Sequence, residues 1–217
     1  AQKNKLEQDL CPSAPPPSSC PSKSKFSDEE LAQKFFKCAD GTMYSKDELA
    51  QFLKDDNTDT YPYVAKPQEP SWFVCQHFST QAFMRGSYFA NSEDVETYEE
   101  KTHIKIHNGL TQLSNKLPIF HLSLGSASTV FYHAINAIFT GSIVEKMKDI
   151  NNYIFFEPQS DKLYKSVDEL RADWTKYNLD TANDLKFKIS TMDKPGSTSD
   201  GSLQFRTQEV ISFDCSY

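Results

Sequence analysis

The stretches Val130-Phe-Tyr-His-Ala-Ile-Asn-Ala-Ile-Phe139 and Tyr153-Ile-Phe-Phe-Glu-Pro-Gln159 read as two neighbouring strands. Both are runs of β-branched and aromatic residues, the composition that suits a pleated surface. Each carries one ionisable group in an apolar setting: His133 between Phe131 and Ile135 at alternate positions, Glu157 beyond Tyr153 and Phe155. Side chains two apart point to the same side of a strand, so the right register would bring imidazole and carboxylate together on one face. A carboxylate among apolar neighbours is costly to bury unless paired, and an imidazolium next door would be its partner.

Outward from this pair, which spans 129–140 and 152–157, further strands are expected at 103–107, 119–124, 184–190 and 203–213. A helix near 167–176 opens with Ser166 and Glu169 in capping-box spacing. The same signature opens two short helices, with Ser27 facing Glu30 and Ser45 facing Glu48. Ser71 is a plausible N-cap for a helix through Phe89, with Val74, Phe78, Ala82 and Phe83 as its apolar stripe. Helices first and then mostly consecutive strands predict an α+β fold with an antiparallel sheet.

The chain of 217 residues is long enough for one domain with an appendage. Its organisation divides into a Pro/Ser-rich tether over 1–25, an accessory helical pair over 26–60 and a main domain over 61–217. A net charge of −7 offers no basic face for phosphates, so nucleic acid is not an expected partner. No apolar run approaches the roughly 18–20 residues of a membrane-spanning helix, so no membrane partner is expected. The first residue is Ala1 rather than Met, as in a mature chain cleaved from a signal peptide, and a secreted, extracellular protein is expected. The acidic run Asp55-Asp-Asn-Thr-Asp59 departs from a calcium-binding EF-hand loop at Thr60 and Lys66, where that loop needs Gly and Glu. It reads as a solvated turn. The sequence has no Asn-x-Ser/Thr site for N-glycosylation.

Five cysteines stand at 11, 20, 38, 75 and 215, and an oxidising compartment leaves one of five over. The first expectation pairs Cys11 with Cys20 inside the tether and Cys38 with Cys215 across the domain, with other pairings open. Cys75 is then the odd thiol. It lies in Trp72-Phe-Val-Cys75-Gln-His-Phe, in the opening turn of the expected helix, where backbone N–H groups and the helix dipole favour the thiolate. A cysteine in an apolar helix is by itself more often a small buried hydrophobe. Followed by a strand His and a strand Glu, it completes the set that acyl transfer requires.

Cys75, then His133-Ala-Ile-Asn136, then Phe155-Phe-Glu157-Pro-Gln159 resembles the papain-like and transglutaminase-like cysteine peptidase superfamily, and more narrowly the C-terminal peptidase domain of a fungal agglutinin. The resemblance covers 61–165, about half the chain. It implies a nucleophile helix packed on an antiparallel sheet and a secreted cysteine peptidase acting on a protein or peptide substrate. Cys75 would be the nucleophile, His133 the general base and Glu157 the group that orients it. Gln159 would sit near the substrate groove. Gln68 stands seven residues before Cys75, where papain-like enzymes place an oxyanion-hole Gln six before. No lectin repeat is present, so sugar binding does not carry over. The resemblance admits calcium, for which no acidic cluster offers a place; no other cofactor and no metal ligands are expected.

Trp72 is a candidate for lining the substrate cleft. His103 and His107 share one face of an alternating strand without a zinc arrangement, and a structural or surface role suits them and His77 better. His121 is a candidate rim residue, and Asn136, three after His133, faces the other side of its strand and suits a structural role. The same triad would serve a transglutaminase-like acyl transferase, in which an amine replaces water. A non-catalytic secreted adhesion or structural protein on the same fold is the alternative from another class.

Overall fold

The computed structural model describes residues 20–35, 44–54, 108–114, 116–126, 133–141, 143–158, 162–174, 184–192, 196–197, 203–204 and 207–216. In chain order these form β1 (Ser22–Lys23), α1 (Asp28–Lys34), α2 (Lys46–Lys54), α3 (Asn108–Ser114), β2 (Ile119–Ser126), β3 (His133–Phe139), β4 (Tyr153–Glu157), β5 (Lys162–Tyr164), α4 (Val167–Trp174), β6 (Asp184–Met192), β7 (Gly196–Ser197), β8 (Leu203–Gln204) and β9 (Thr207–Ser216). Two 3-10 turns, Val144–Lys148 and Ile150–Asn152, lie between β3 and β4.

A seven-stranded sheet runs β1-β9-β6-β2-β3-β4-β5, and every pairing in it is antiparallel. The protein is therefore α+β. Alternation along the strands gives the sheet two faces. One face carries Phe120, Leu122, Leu124, Ile135, Ala137, Phe139, Tyr153 and Phe155, continued by Leu185, Phe187 and Ile189 of β6 and Ile211 and Phe213 of β9. Leu31 of α1 and Val167 and Leu170 of α4 pack into this cluster. The other face carries Ile119, Ile138, Ile154 and Phe156, covered by Leu49 and Leu53 of α2 and Leu110 and Leu113 of α3. Apolar burial on both faces is the main favourable term holding these elements to the sheet.

The short helices start where their caps require. In α1 the Glu30 N–H donates to Ser27 Oγ at 3.2 Å and the Ser27 N–H donates to Glu30 Oε2 at 2.8 Å. Ser45 and Glu48 repeat the exchange before α2, at 3.1 and 2.8 Å. At α4 the Glu169 N–H donates to Ser166 Oγ at 3.1 Å, but the Glu169 carboxylate reaches past Ser166 to the Lys165 N–H at 2.8 Å. Each exchange satisfies donors that a helix start leaves without an intrahelical acceptor.

The connection from β3 to β4 is held at both ends. The Thr140 N–H and hydroxyl both donate to the Asn152 carbonyl, at 2.8 and 2.9 Å, and the buried Tyr153 hydroxyl donates to the Met147 carbonyl at 2.6 Å. Gly141 lies against the Phe139 ring so closely that a Cβ there would meet it at 2.4 Å. These contacts fix how β4 returns along β3.

The expected disulfides are replaced by a different one. Cys20 is bonded to Cys215, not to Cys11, and Cys215 is not bonded to Cys38. The β1–β9 register gives the reason: Ser22 lies opposite Phe213 and Lys23 opposite Ser212, so two more residues bring Cys20 opposite Cys215. Proximity in the tether does not decide the pairing, because β1 carries Cys20 onto the edge of the sheet. The bridge takes one cysteine from each expected pair, and Cys11, Cys38 and Cys75 lie outside the described residues. Parity therefore no longer singles out Cys75.

Other expectations also fall outside the described residues: the helix over 71–89, the strand at 103–107 and the first part of the strand at 129–140. The strand expected at 203–213 is two, β8 and β9. No described helix is long and apolar enough to cross a membrane.

The bridge spans 195 positions of sequence. In the chain-entropy account of cross-links a loop of that length contributes about 5 kcal/mol, less any strain in the folded state. Peptide mapping without reduction is expected to recover Cys20 linked to Cys215, and Cys215→Ala is expected to lower the thermal midpoint. A Cys11–Cys20 or Cys38–Cys215 peptide would contradict the fold at this edge.

Candidate active site

His133 opens β3 and Glu157 closes β4. The strands pair with Asn136 opposite Phe156, Ala137 opposite Phe155, Ile138 opposite Ile154 and Phe139 opposite Tyr153. Continued by one step, this register sets Glu157 opposite Ile135, with His133 two residues along the same face. Such diagonal neighbours are within reach of long side chains. The imidazole Nε2 of His133 lies 2.7 Å from Oε1 of Glu157, with the side chains 17% and 16% exposed. The pair is shielded enough to be strong and open enough to be reached.

An ionised carboxylate only accepts hydrogen bonds, so the neutral imidazole carries its proton on Nε2 when that nitrogen faces Glu157. Nδ1 is then the atom through which the ring would accept a proton. A carboxylate so placed also stabilises the imidazolium by a charge-assisted hydrogen bond. The arrangement can orient the ring and support its charged form.

Glu157 is backed by β5 and α4. The Tyr164 hydroxyl donates to Oδ2 of Asp173 at 2.7 Å and lies 3.5 Å from Oε2 of Glu157. Lys162, opposite Glu157 in the β4–β5 register, donates its ammonium to the same Asp173 oxygen. No motif in the sequence singles out Lys162, Tyr164 or Asp173. β5 has three residues, too few for an alternation pattern, but a signal for Asp173 exists: it follows the buried Val167 and Leu170 of α4 at spacings of three.

His121 is not a rim residue. It sits in central strand β2, opposite Asn136 of β3 and Ser190 of β6, and all three are buried. Asn136 alternates with His133, so this row lies on the opposite face of the sheet from the His133–Glu157 pair. Asn136 thus lies on the face opposite His133, as its spacing implies, and is buried there. Ser123 Oγ is 3.4 Å from His121 Nε2. Burial pushes the His121 imidazole down to about 4 from its ordinary 6.5, because the charged form loses its solvation.

Cys75, Gln159, Trp72 and Gln68 lie outside the described residues, as do His77, His103 and His107. The structure thus brings together two of the three expected catalytic residues. Among the described residues there is no cluster of three or more His, Cys, Asp or Glu side chains that could hold a metal ion. No family model matches the chain, and no curated protein or solved structure matches it.

Between pH 6.5 and about 4 the unfolded chain binds a proton at His121 that the folded chain refuses. Stability present above pH 6.5 is therefore lost as pH falls through that window, by up to about 3 kcal/mol. Urea unfolding at pH 7 and pH 4.5 is expected to show this loss, and His121→Gln to make it smaller. An equal loss in both proteins would contradict the placement of His121.

Proposed function

We propose that the protein is a secreted cysteine peptidase of papain- and transglutaminase-like architecture, hydrolysing peptide bonds with Cys75, His133 and Glu157. The observation that carries the reading is the 2.7 Å contact between His133 Nε2 and Glu157 Oε1. Those two residues, at the start of one strand and the end of the next, hold the orientation that a base serving a thiol needs. The Cys20–Cys215 bridge supports an oxidising compartment, where such bonds persist.

In this reading the Cys75 thiol passes its proton to His133 and the thiolate attacks the peptide carbonyl carbon. The carbonyl oxygen becomes an oxyanion, for which the Cys75 backbone N–H is one donor and Gln68 a candidate second. The imidazolium then gives its proton to the departing amine, leaving a thioester on Cys75. Water, deprotonated by His133, attacks the thioester and releases the acid, and the proton returns to the thiol. Glu157 holds the ring's Nε2–H throughout and balances the imidazolium charge. Gln159 and Trp72 are assigned to the substrate groove.

Hydrolysis of a peptide library by the full chain tests this. Cys75→Ala is expected to abolish turnover, and Glu157→Gln to lower kcat by about 10²–10⁴-fold by disturbing the tautomer and charge of the ring. Turnover unaffected by Cys75→Ala would remove Cys75 as nucleophile. Transfer to an added primary amine in preference to water would move the assignment to transamidation.

A further inference from the structure

β9 pairs with β6 along its whole length, and on its other side β1 pairs with it at Ser212 and Phe213. The Asp214 N–H donates to the Pro21 carbonyl at 3.0 Å, and the Ser24 hydroxyl donates to the Val210 carbonyl at 2.6 Å. Val210 is the extra residue of a bulge, since Ile189 pairs with Ile211 and Ser190 with Glu209. Ser22, Lys23, Ser24 and Lys25 are all polar, so apolar burial does little to hold this stretch to the edge. The apolar anchors begin at Phe26. Phe26 and Leu31 lie in the first core cluster, and the Phe35 ring stands 5.3 Å from Phe26 and 6.2 Å from Phe120. Asp28 pairs with Lys148 at 2.7 Å. Residues 20–25 thus form a short strap, fastened at one end by the bridge to Cys215 and at the other by core packing.

We propose that the Cys20–Cys215 bridge is a redox latch: a dithiol reductant opens it in the folded protein, the strap leaves the edge of β9, and the rest of the sheet stays folded. Cys20 is partly exposed and Cys215 is buried, so the sulfur that a thiolate reaches is Sγ of Cys20. Attack there breaks the S–S bond and leaves its electron pair on Sγ of Cys215, which takes up a proton. The second thiolate of the reductant then attacks the mixed disulfide and closes its own S–S bond, and Cys20 departs and is protonated. The reductant is oxidised by two electrons, the bridge is reduced, and two protons pass from the dithiol to the two cysteines. Once the bond is open, main-chain hydrogen bonds and the Ser24 hydroxyl are left to hold a polar strap. Its departure uncovers the Asp214 N–H and the Val210 carbonyl, main-chain groups at a sheet edge able to pair with another strand. The latch uses none of the residues assigned to catalysis and stands whether or not the chain is a peptidase.

The test is peptide-resolved hydrogen exchange of the full chain with and without dithiothreitol, with alkylation to map the thiols formed. Reduction is expected to yield free thiols at Cys20 and Cys215 in the folded protein. Amides in peptides over 21–25 and 210–216 should then exchange roughly tenfold faster or more, while those over 119–126 and 133–139 keep their protection. Replacing the reductant by oxidised glutathione should restore the slow exchange. The double variant Cys20→Ser, Cys215→Ala separates this bridge from the other three cysteines: it should match the reduced protein without dithiothreitol and change no further when the reductant is added. A bridge that resists reduction while the protein is folded would overturn the proposal, as would unchanged exchange at the edge or protection that does not return on oxidation. Faster exchange spreading to β2 and β3, or a double variant that does not fold, would also overturn it, because the bridge would then hold the whole fold rather than the strap.

Discussion

The register between β3 and β4 is the constraint on which the candidate site depends. With Asn136 opposite Phe156, the odd-numbered residues of β3 share a face with the odd-numbered residues of β4, and His133 meets Glu157 at 2.7 Å. A slip of one residue would turn every side chain of one strand to the other face and separate the pair. The register is set by the apolar alternation that fills the two core clusters and by the connection, where Thr140 and Tyr153 spend their donors on the carbonyls of Asn152 and Met147. The same burial that stabilises the sheet thus aims the imidazole.

Two histidines of the same sheet illustrate how position decides chemistry. His121 is enclosed by the second apolar cluster's face, and burial holds it neutral at physiological pH. His133, at the end of its strand and partly exposed, faces a carboxylate that supports its charged form. The first contributes to a buried polar row with Asn136 and Ser190; the second is held against Glu157 and stays partly exposed. Behind Glu157, Tyr164 and Asp173 add a polar network whose outer end, Lys162, is in solvent.

Much of this was legible in the residues. The capping boxes at Ser27 and Ser45 and the strands around His133 and Glu157 follow from spacing alone, since they rest on local periods of 2 and 3.6, whereas the common face of the pair also needs the β3–β4 register. The bridge from Cys20 to Cys215 was not legible, because it depends on a two-residue strand, Ser22–Lys23, with no pattern of its own. β5 and the seven-residue α3, with Gly109 and no capping box, were missed for the same reason. His121 was misplaced because its immediate neighbours, Phe120 and Leu122, describe only the other face of the strand. What buries the His121 face includes Leu49, Leu53, Leu110 and Leu113, which lie far away in sequence. Asp173 had a helical spacing to Val167 and Leu170, but its partner Tyr164 lies on an element the pattern did not disclose.

If the His133–Glu157 pair serves the thiol of Cys75, that service is read in the rate at which Cys75 of the folded protein reacts with a small alkylating agent at pH 6, followed by mass spectrometry. An ordinary thiol is roughly 0.3% thiolate at that pH. A thiol paired with His133 is predicted to react many-fold faster than Cys75 in the unfolded chain, and to lose that advantage in His133→Ala. Cys75 found in a disulfide, or labelled at the same rate with and without His133, would contradict the account.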